Sequence, residues 1–195
     1  SAAALVLFFE VEIRKLVSEY ENPNMVFTGG SFLNVINNYK LSTKFKNSQL
    51  YFEPLCGDEG NSIGIAYFHY LTKQKSIQPL KHIYIGQKIK TKPELLQNER
   101  LIDRSIEHIV HLLHNGHVVG LVQGKAEAGP RALGNRSLLL DPTIPTAKDI
   151  MNEIKKREKF RPFAVSVLQE KFSEFFDGNN YIPTMMMAPS ATDKL

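Results

Sequence analysis

The stretch Gln123–Leu140, QGKAEAGPRALGNRSLLL, decides how this chain is read, together with its sequel Ile154–Val167, IKKREKFRPFAVSV. In the first, three glycines, a proline and two arginines sit between apolar runs. In the second, Lys155, Lys156, Arg157, Lys159 and Arg161 precede another apolar run. Short strands feeding glycine-bearing turns crowded with guanidinium groups suit a phosphate-rich small molecule. Backbone N–H groups approach it where no Cβ intrudes, and Arg forks hold its oxygens in pairs.

Composition sets the bounds around that anion site. A chain of 195 residues holds one medium domain or two small ones. With 43% hydrophobic and 23% charged residues it reads as a globular protein. A net charge of +4 lacks the dense basic stripe of a nucleic-acid binder, so nucleic acid is disfavoured as a partner. The single cysteine, Cys56, excludes an internal disulfide framework and suits a reducing, cytoplasmic setting. No apolar run approaches the roughly 20 residues that span a bilayer, and no membrane partner is expected. The opening AAALVLFF has no basic lead and reads as a helix start, not a signal peptide. Asn135-Arg136-Ser137 matches a glycosylation sequon by chance.

Upstream, Leu5, Phe8, Phe9, Ile13, Leu16 and Val17 recur at steps of three and four, predicting a helix over Ala2–Tyr20. Glu21–Asn24 turns the chain into MVFTGG, a buried strand ending in a glycine pair, with Ser31 expected to cap the helix FLNVINNYK. Strand, Gly-Gly and helix N-terminus is a geometry that admits nucleotide phosphates, although a glycine pair alone is a weak signal and a plain tight turn is the readier explanation. QLYFEPL, Gln49–Leu55, is a second strand, followed by a turn carrying Asp58 and Glu59 and a helix from about Ser62. Carboxylates there suit a metal ion or nucleotide hydroxyls, or simply cap the helix.

Thr72–Leu101, broken by Pro79 and Pro93 around the apolar HIYIG, reads as a connector. A helix over Ile102–His114 stops at Asn115-Gly116. Its histidines, His108, His111 and His114, drift round the helix at about 300° per step, and His117 lies beyond it, so all four are read as structural. Strands are expected at His117–Gln123, Ser137–Leu140 and Phe163–Leu168, helices at Ala147–Lys155 and Lys171–Phe176, and a core strand at Met185–Met187. The fold class is α/β, in the α+β sense.

GPRALGNRS at Gly129–Ser137, in QGKAEAGPRALGNRSLLLDP followed by MNEIKKREKFRPFAVSVL, closely resembles the O-carbamoyltransferases of the nodulation, cephamycin and tobramycin type. Their pattern is close to QGRMEFGPRALGNRS and then KxREPFRPFAPSV. FTGGSFLN resembles the family's GGVALN, and PLCGDEGNSIGIA its GDxGxxxGxA. The resemblance implies the C-terminal part of an actin-like, sugar-kinase-type domain over residues 1–90, a connector over 91–101, and part of a YrdC-like domain over 102–195.

It further implies an enzyme that joins carbamoyl phosphate and ATP into carbamoyl-adenylate and passes the carbamoyl group to an acceptor hydroxyl with help from a divalent metal, Fe or Mg. By the same resemblance Asp58 matches a metal ligand, and Gly29, Gly30 and Asn34 match a nucleotide-contacting turn. Arg131 and Arg136, with Lys155, Arg157 and Arg161, match the lining of the carbamoyl-phosphate and ATP pocket, with Gly129 in its turn. Of these, Arg131, Lys155 and Arg157 are expected to act on the reacting groups. Convergent charge of this kind offsets the repulsion between a triphosphate and carbamoyl phosphate. Lys156 and Lys159 are read as solvated.

Departures are Lys125 for Arg, Ala126 and Ala128 for larger residues, which predict a roomier pocket wall, and Val165 for Pro. Residues 1–60 hold no His-x-x-x-His, and the YrdC-like part is short, so an internal fragment of a longer enzyme is expected, with room for a homodimer. The acceptor stays open among sugar, antibiotic, lipid-linked glycan and nucleobase. Two rivals are a tRNA threonylcarbamoyl-type transferase and a non-catalytic nucleotide- or nucleic-acid-binding piece.

Overall fold

The structure is a computed structural model that describes residues 2–21, 23–73, 76–89, 94–99, 105–178 and 182–193. The expected turn residue Asn22, the break at Pro93, connector residues 91–93 and 100–101 and helix residues 102–104 lie outside them, as does the Leu5 side chain. The α/β mixture expected of the sequence is observed. Packing divides the chain into two compact units that do not follow the linear segments 1–90, 91–101 and 102–195. The first comprises residues 1–81, 129–131 and 167–195, and the second 82–128 and 132–166.

In the first unit, α1 (Ala2–Glu19) turns Ile13, 2% exposed, into a core with Phe32, Leu41, Phe45, Phe52, Cys56 and Met186. Phe9 and Val17 from the same face of α1 pack beside it, whereas Phe8 and Leu16 stay exposed. β1 (Met25–Phe27) runs parallel to β2 (Leu50–Phe52) in the register Met25↔Leu50 to Phe27↔Phe52. A parallel pair needs a crossover, supplied by a 3-10 turn (Gly30–Leu33) and α2 (Val35–Lys44). Phe27 and Phe52 stack at 5.0 Å between centroids, and Phe32 lies 4.9 Å from Phe27. The cap of α2 is Asn34, whose Oδ1 accepts the Asn37 N–H at 3.1 Å. Ser31 sits instead within the 3-10 turn. α3 (Glu59–Lys73) starts three residues earlier than expected.

The C-terminal segment completes this unit through a 3-10 turn (Gln169–Lys171) and the short α6 (Phe172–Phe175). In the expected core strand Met185–Met187, Met186 is core and Met187 packs against it, but the segment is not a strand. Met186 is buried and its carbonyl accepts from the buried Asn38 side chain at 2.9 Å, while Met185 adopts φ 53. A ladder cannot run through a left-handed residue.

In the second unit, α4 (Ile106–His114) is capped by Ser105 Oγ, which accepts the His108 N–H. β3 (Val119–Val122) and β4 (Arg136–Leu139) pair antiparallel, with Val122 opposite Arg136. HIYIG is an ordered part of the expected connector. Ile83 accepts from Ala128 N–H at 2.7 Å, Gly86 N–H donates to Ala126, and Lys88 pairs with Lys125, so residues 83–88 run antiparallel to 125–128. A Cβ on Gly86 would meet the Ala126 Cβ at 2.8 Å, so Ala126 packs against this ribbon and forms no wall of a roomier cavity. α5 (Ala147–Ile154) buries Met151 and Asn152. The expected strand Phe163–Leu168 is not formed, since these residues carry no ladder.

Candidate functional site

The carboxyl ends of β1 and β2 bring two glycine turns together in the first unit. Gly29 N–H donates to the Cys56 carbonyl at 2.8 Å, so Gly29-Gly30 lies beside Cys56-Gly57-Asp58. Carboxyl ends of parallel strands are where open α/β sheets receive ligands. A Cβ on Gly29 or Gly30 would meet nothing within 4 Å, so the space beside both is open, although the Gly29 amide is already engaged by Cys56. Arg131 joins this group: its Nη2 donates to the Leu33 carbonyl at 2.8 Å, while its buried Nε has no protein partner. Gly129, at φ 91, fits only because it lacks a Cβ, which would come within 2.6 Å of Leu55 Cδ2. Asn34 is placed here too, with its Oδ1 engaged in capping α2.

Burial, reinforced by Glu59, pushes the Cys56 thiol above its ordinary value and keeps it protonated and unreactive. Asp58 is exposed, and its neighbour Glu59 folds back to accept the Gly57 N–H. Among the described residues no three His, Cys, Asp or Glu side chains assemble into a metal-holding group. Asp58 therefore offers a metal one hard oxygen donor, short of the several that Mg or Fe requires.

In the second unit the glycine-rich loop is filled from within. Glu127 Oε1 accepts the N–H groups of Leu133 at 2.7 Å, Asn135 at 2.8 Å and Arg136 at 3.2 Å. Partial burial raises this carboxyl, but the amides of Asn135 and Leu133, with that of Arg136, outweigh it and hold Glu127 below the usual carboxylate range. The amides expected to cradle phosphate thus already hold a carboxylate.

Arg136 is likewise engaged. Its Nη1 donates to the carbonyls of Gln123 at 2.6 Å and Asn135 at 2.8 Å, and its Nη2 to Gln87 at 3.0 Å. The guanidinium ties the 83–88 ribbon to the β3–β4 turn.

The free cations gather after α5. Lys155, Lys156, Arg157 and Arg161, with Glu158, line an open cavity of about 710 Å³. The organiser is Asn152, wholly buried: its Oδ1 accepts Arg157 Nε–H at 2.5 Å, and its amide donates to the carbonyls of Lys159 at 3.2 Å and Arg161 at 3.1 Å. Arg157 also lies over the Phe163 ring at 4.1 Å and donates to the Pro162 carbonyl, which fixes the plane of its fork. Glu158 meets Arg161 at 3.7 Å, both well exposed, a pair that adds little energy.

Of the five expected wall cations, Lys155, Arg157 and Arg161 share this cavity, Arg131 belongs to the first unit, and Arg136 is a loop staple. Asn152, Glu127 and Phe163 are not among the residues the sequence singles out, and Lys156, read as solvated, is exposed. A buried-side Asn in a short helix, where it is a poor helix former, and a lone acid among arginines and glycines were the available signals.

Residues 110–195 match the carbamoyltransferase C-terminus family. An uncharacterised protein of Synechocystis is 32% identical over 193 residues, covering 88% of this chain and 31% of that protein. Nodulation protein NolNO of Sinorhizobium fredii is 38% identical over 165 residues, 76% of this chain and 24% of that protein. Nodulation protein NolO of Bradyrhizobium diazoefficiens reaches 56% over 75 residues, 36% of this chain and 14% of that protein. The chain spans about a third or less of the length of these relatives. The matched segment contains Glu127, the GPRALGNRS loop and the Asn152-centred cation cavity, and it is through residues 110–195 that the chain is similar to the carbamoyltransferase C-terminus family.

Proposed function

We propose that the protein transfers a carbamoyl group from carbamoyl phosphate to an acceptor hydroxyl, with ATP consumed to form carbamoyl-adenylate. The observation that carries this reading is the cavity where Lys155, Arg157 and Arg161 converge beside a fork fixed by Asn152 and Phe163. Carbamoyl phosphate and a triphosphate repel each other, and preorganised cations offset that repulsion without rearranging during reaction. In the first step water cleaves carbamoyl phosphate to carbamate and orthophosphate, the carbamate oxygen attacks the α-phosphorus of ATP, and pyrophosphate leaves as the adenylate forms. In the second the acceptor oxygen attacks the carbamoyl carbon, loses its proton, and AMP departs.

Lys155, Arg157 and Arg161 are assigned to the first step. Arg136 serves as a positioning residue for the loop, and Gly29, Gly30, Asn34, Gly129, Arg131 and Asp58 are assigned to the second. Residues 1–90 fit the end of an actin-like module and 102–195 part of a YrdC-like one, in a cytoplasmic enzyme. Asp58 is assigned as one ligand of a divalent metal whose other ligands lie outside this chain, and no step is routed through that metal. The test is pyrophosphate release from ATP by the intact protein, with and without carbamoyl phosphate. Release dependent on carbamoyl phosphate and abolished by Arg157→Ala supports the proposal. Release unchanged by that substitution, or absent from the wild type, ends it.

A further inference from the structure

We propose that Lys156 is a fourth cation of the anion cavity, held there by a left-handed backbone, and that it selects a condensed phosphate chain over orthophosphate. This rests on the reading of the cavity as an anion site. The argument comes from comparing two helix ends in the same unit. After α4, Gly116 N–H donates to Leu113 and His117 N–H to Leu112, the paired bonds that close a helix through a left-handed residue, here Gly116 at φ 78. After α5, Lys156 N–H donates to Glu153 and Arg157 N–H to Asn152, in the same two positions. The left-handed residue there is Lys156 at φ 49.

A side chain at that φ crowds its own backbone, and glycine is the residue that ends helices this way without strain. If α5 needed only to stop, glycine would serve better. A cation near a helix C-terminus also favours the dipole, but Lys155 and Arg157 flank the position and already supply that. Lys156 lines the cavity with Lys155, Arg157 and Arg161, and none of the ion pairs among the described residues includes it. Strain retained at a cleft is retained for what the side chain does there. Four cations face one carboxylate, Glu158, which Arg161 already attends. That excess suits the several charges of a pyrophosphate or a nucleotide's phosphate chain better than a single phosphate.

The experiment measures thermal unfolding without anion and calorimetric titration with sodium pyrophosphate and with orthophosphate, on the full chain and on Lys156→Gly, Lys156→Arg and Arg157→Ala variants. Lys156→Gly is expected to melt about 2 °C higher, because strain is relieved. It should bind pyrophosphate about fivefold more weakly, with orthophosphate within about twofold of wild type. Lys156→Arg should keep pyrophosphate affinity within about threefold and gain no stability. Pyrophosphate affinity unchanged in Lys156→Gly but lost in Arg157→Ala overturns the role of Lys156 and leaves the cavity reading standing. No saturable pyrophosphate binding by wild type overturns both, and a lower melting temperature for Lys156→Gly overturns the strain argument.

Discussion

Arg157 Nε and Asn152 Oδ1 are joined at 2.5 Å, and the same Asn152 amide binds the carbonyls of Lys159 and Arg161. One buried side chain thus sets both the direction of a guanidinium fork and the path of the loop that carries its neighbours. Asn152→Ala leaves two carbonyls and one N–H without partners and should cost about 2–4 kcal/mol of stability. Asn152→Asp keeps the acceptor for Arg157 but loses both donors. The Nε–H resonance of Arg157 in ¹⁵N-arginine-labelled protein should keep slow exchange in Asn152→Asp and lose it in Asn152→Ala. Slow exchange in both would show that Asn152 does not orient the fork.

Asp58 belongs to the first unit, beside the glycine pair, whereas the residues of the cation cavity belong to the second. Asp58→Asn is therefore expected to leave carbamoyl-phosphate-dependent pyrophosphate release within about twofold of wild type. Carbamoylated product should fall at least about tenfold. Loss of both steps together would contradict the division of labour between the units.

Glu127 predicts how acid acts on the GPRALGNRS loop. Its native value lies below the ordinary carboxylate value of 4.5, so its stabilisation is fully present above pH 4.5. That stabilisation is lost as pH falls through the lower native value. Glu127→Gln keeps one acceptor oxygen without the charge and should cost about 1–2 kcal/mol near neutrality, discounted for partial exposure. Urea midpoints measured from pH 7 to pH 3 should converge for the two proteins at the acid end. Parallel curves would show that the carboxylate charge does not matter.

Gly129→Ala tests the approach of the loop to the first unit's core. The residue has φ 91, and its new Cβ would sit 2.6 Å from Leu55 Cδ2. Strain and displacement together should lower stability by about 2 kcal/mol, read as a shifted chemical-denaturation midpoint. Leu55→Ala in the same chain should recover part of the contact penalty but none of the backbone penalty.

Periodicity and local chemistry made most elements legible. Steps of three and four placed α1, and apolar runs bounded by Gly and Pro placed β1, β2, β3 and β4. Phe163–Ser166 misled because an apolar run suggests a buried strand, whereas these residues are exposed and Phe163 serves as the ring beneath Arg157. Met185–Met187 misled in another way, with Met186 buried and the ladder absent. Lys156 was illegible because left-handed helix stops are announced by glycine, and here the announcement is missing. Residue type showed that Arg131, Arg136 and Arg157 could bind anions. It could not show that Arg136 would be drawn to three carbonyls or that Glu127 would occupy the loop amides, since both depend on contacts that fold geometry creates.

The bond from Asn38 to the Met186 carbonyl spans 148 positions of sequence, and the residues it joins belong to a unit drawn from residues 1–81, 129–131 and 167–195. The second unit draws on residues 82–128 and 132–166 alone. During synthesis its parts are all out of the ribosome while the first unit still lacks Met186. The unit begun first is finished last, and until then Ile13, Phe32 and Phe52 wait without the methionine that closes their core.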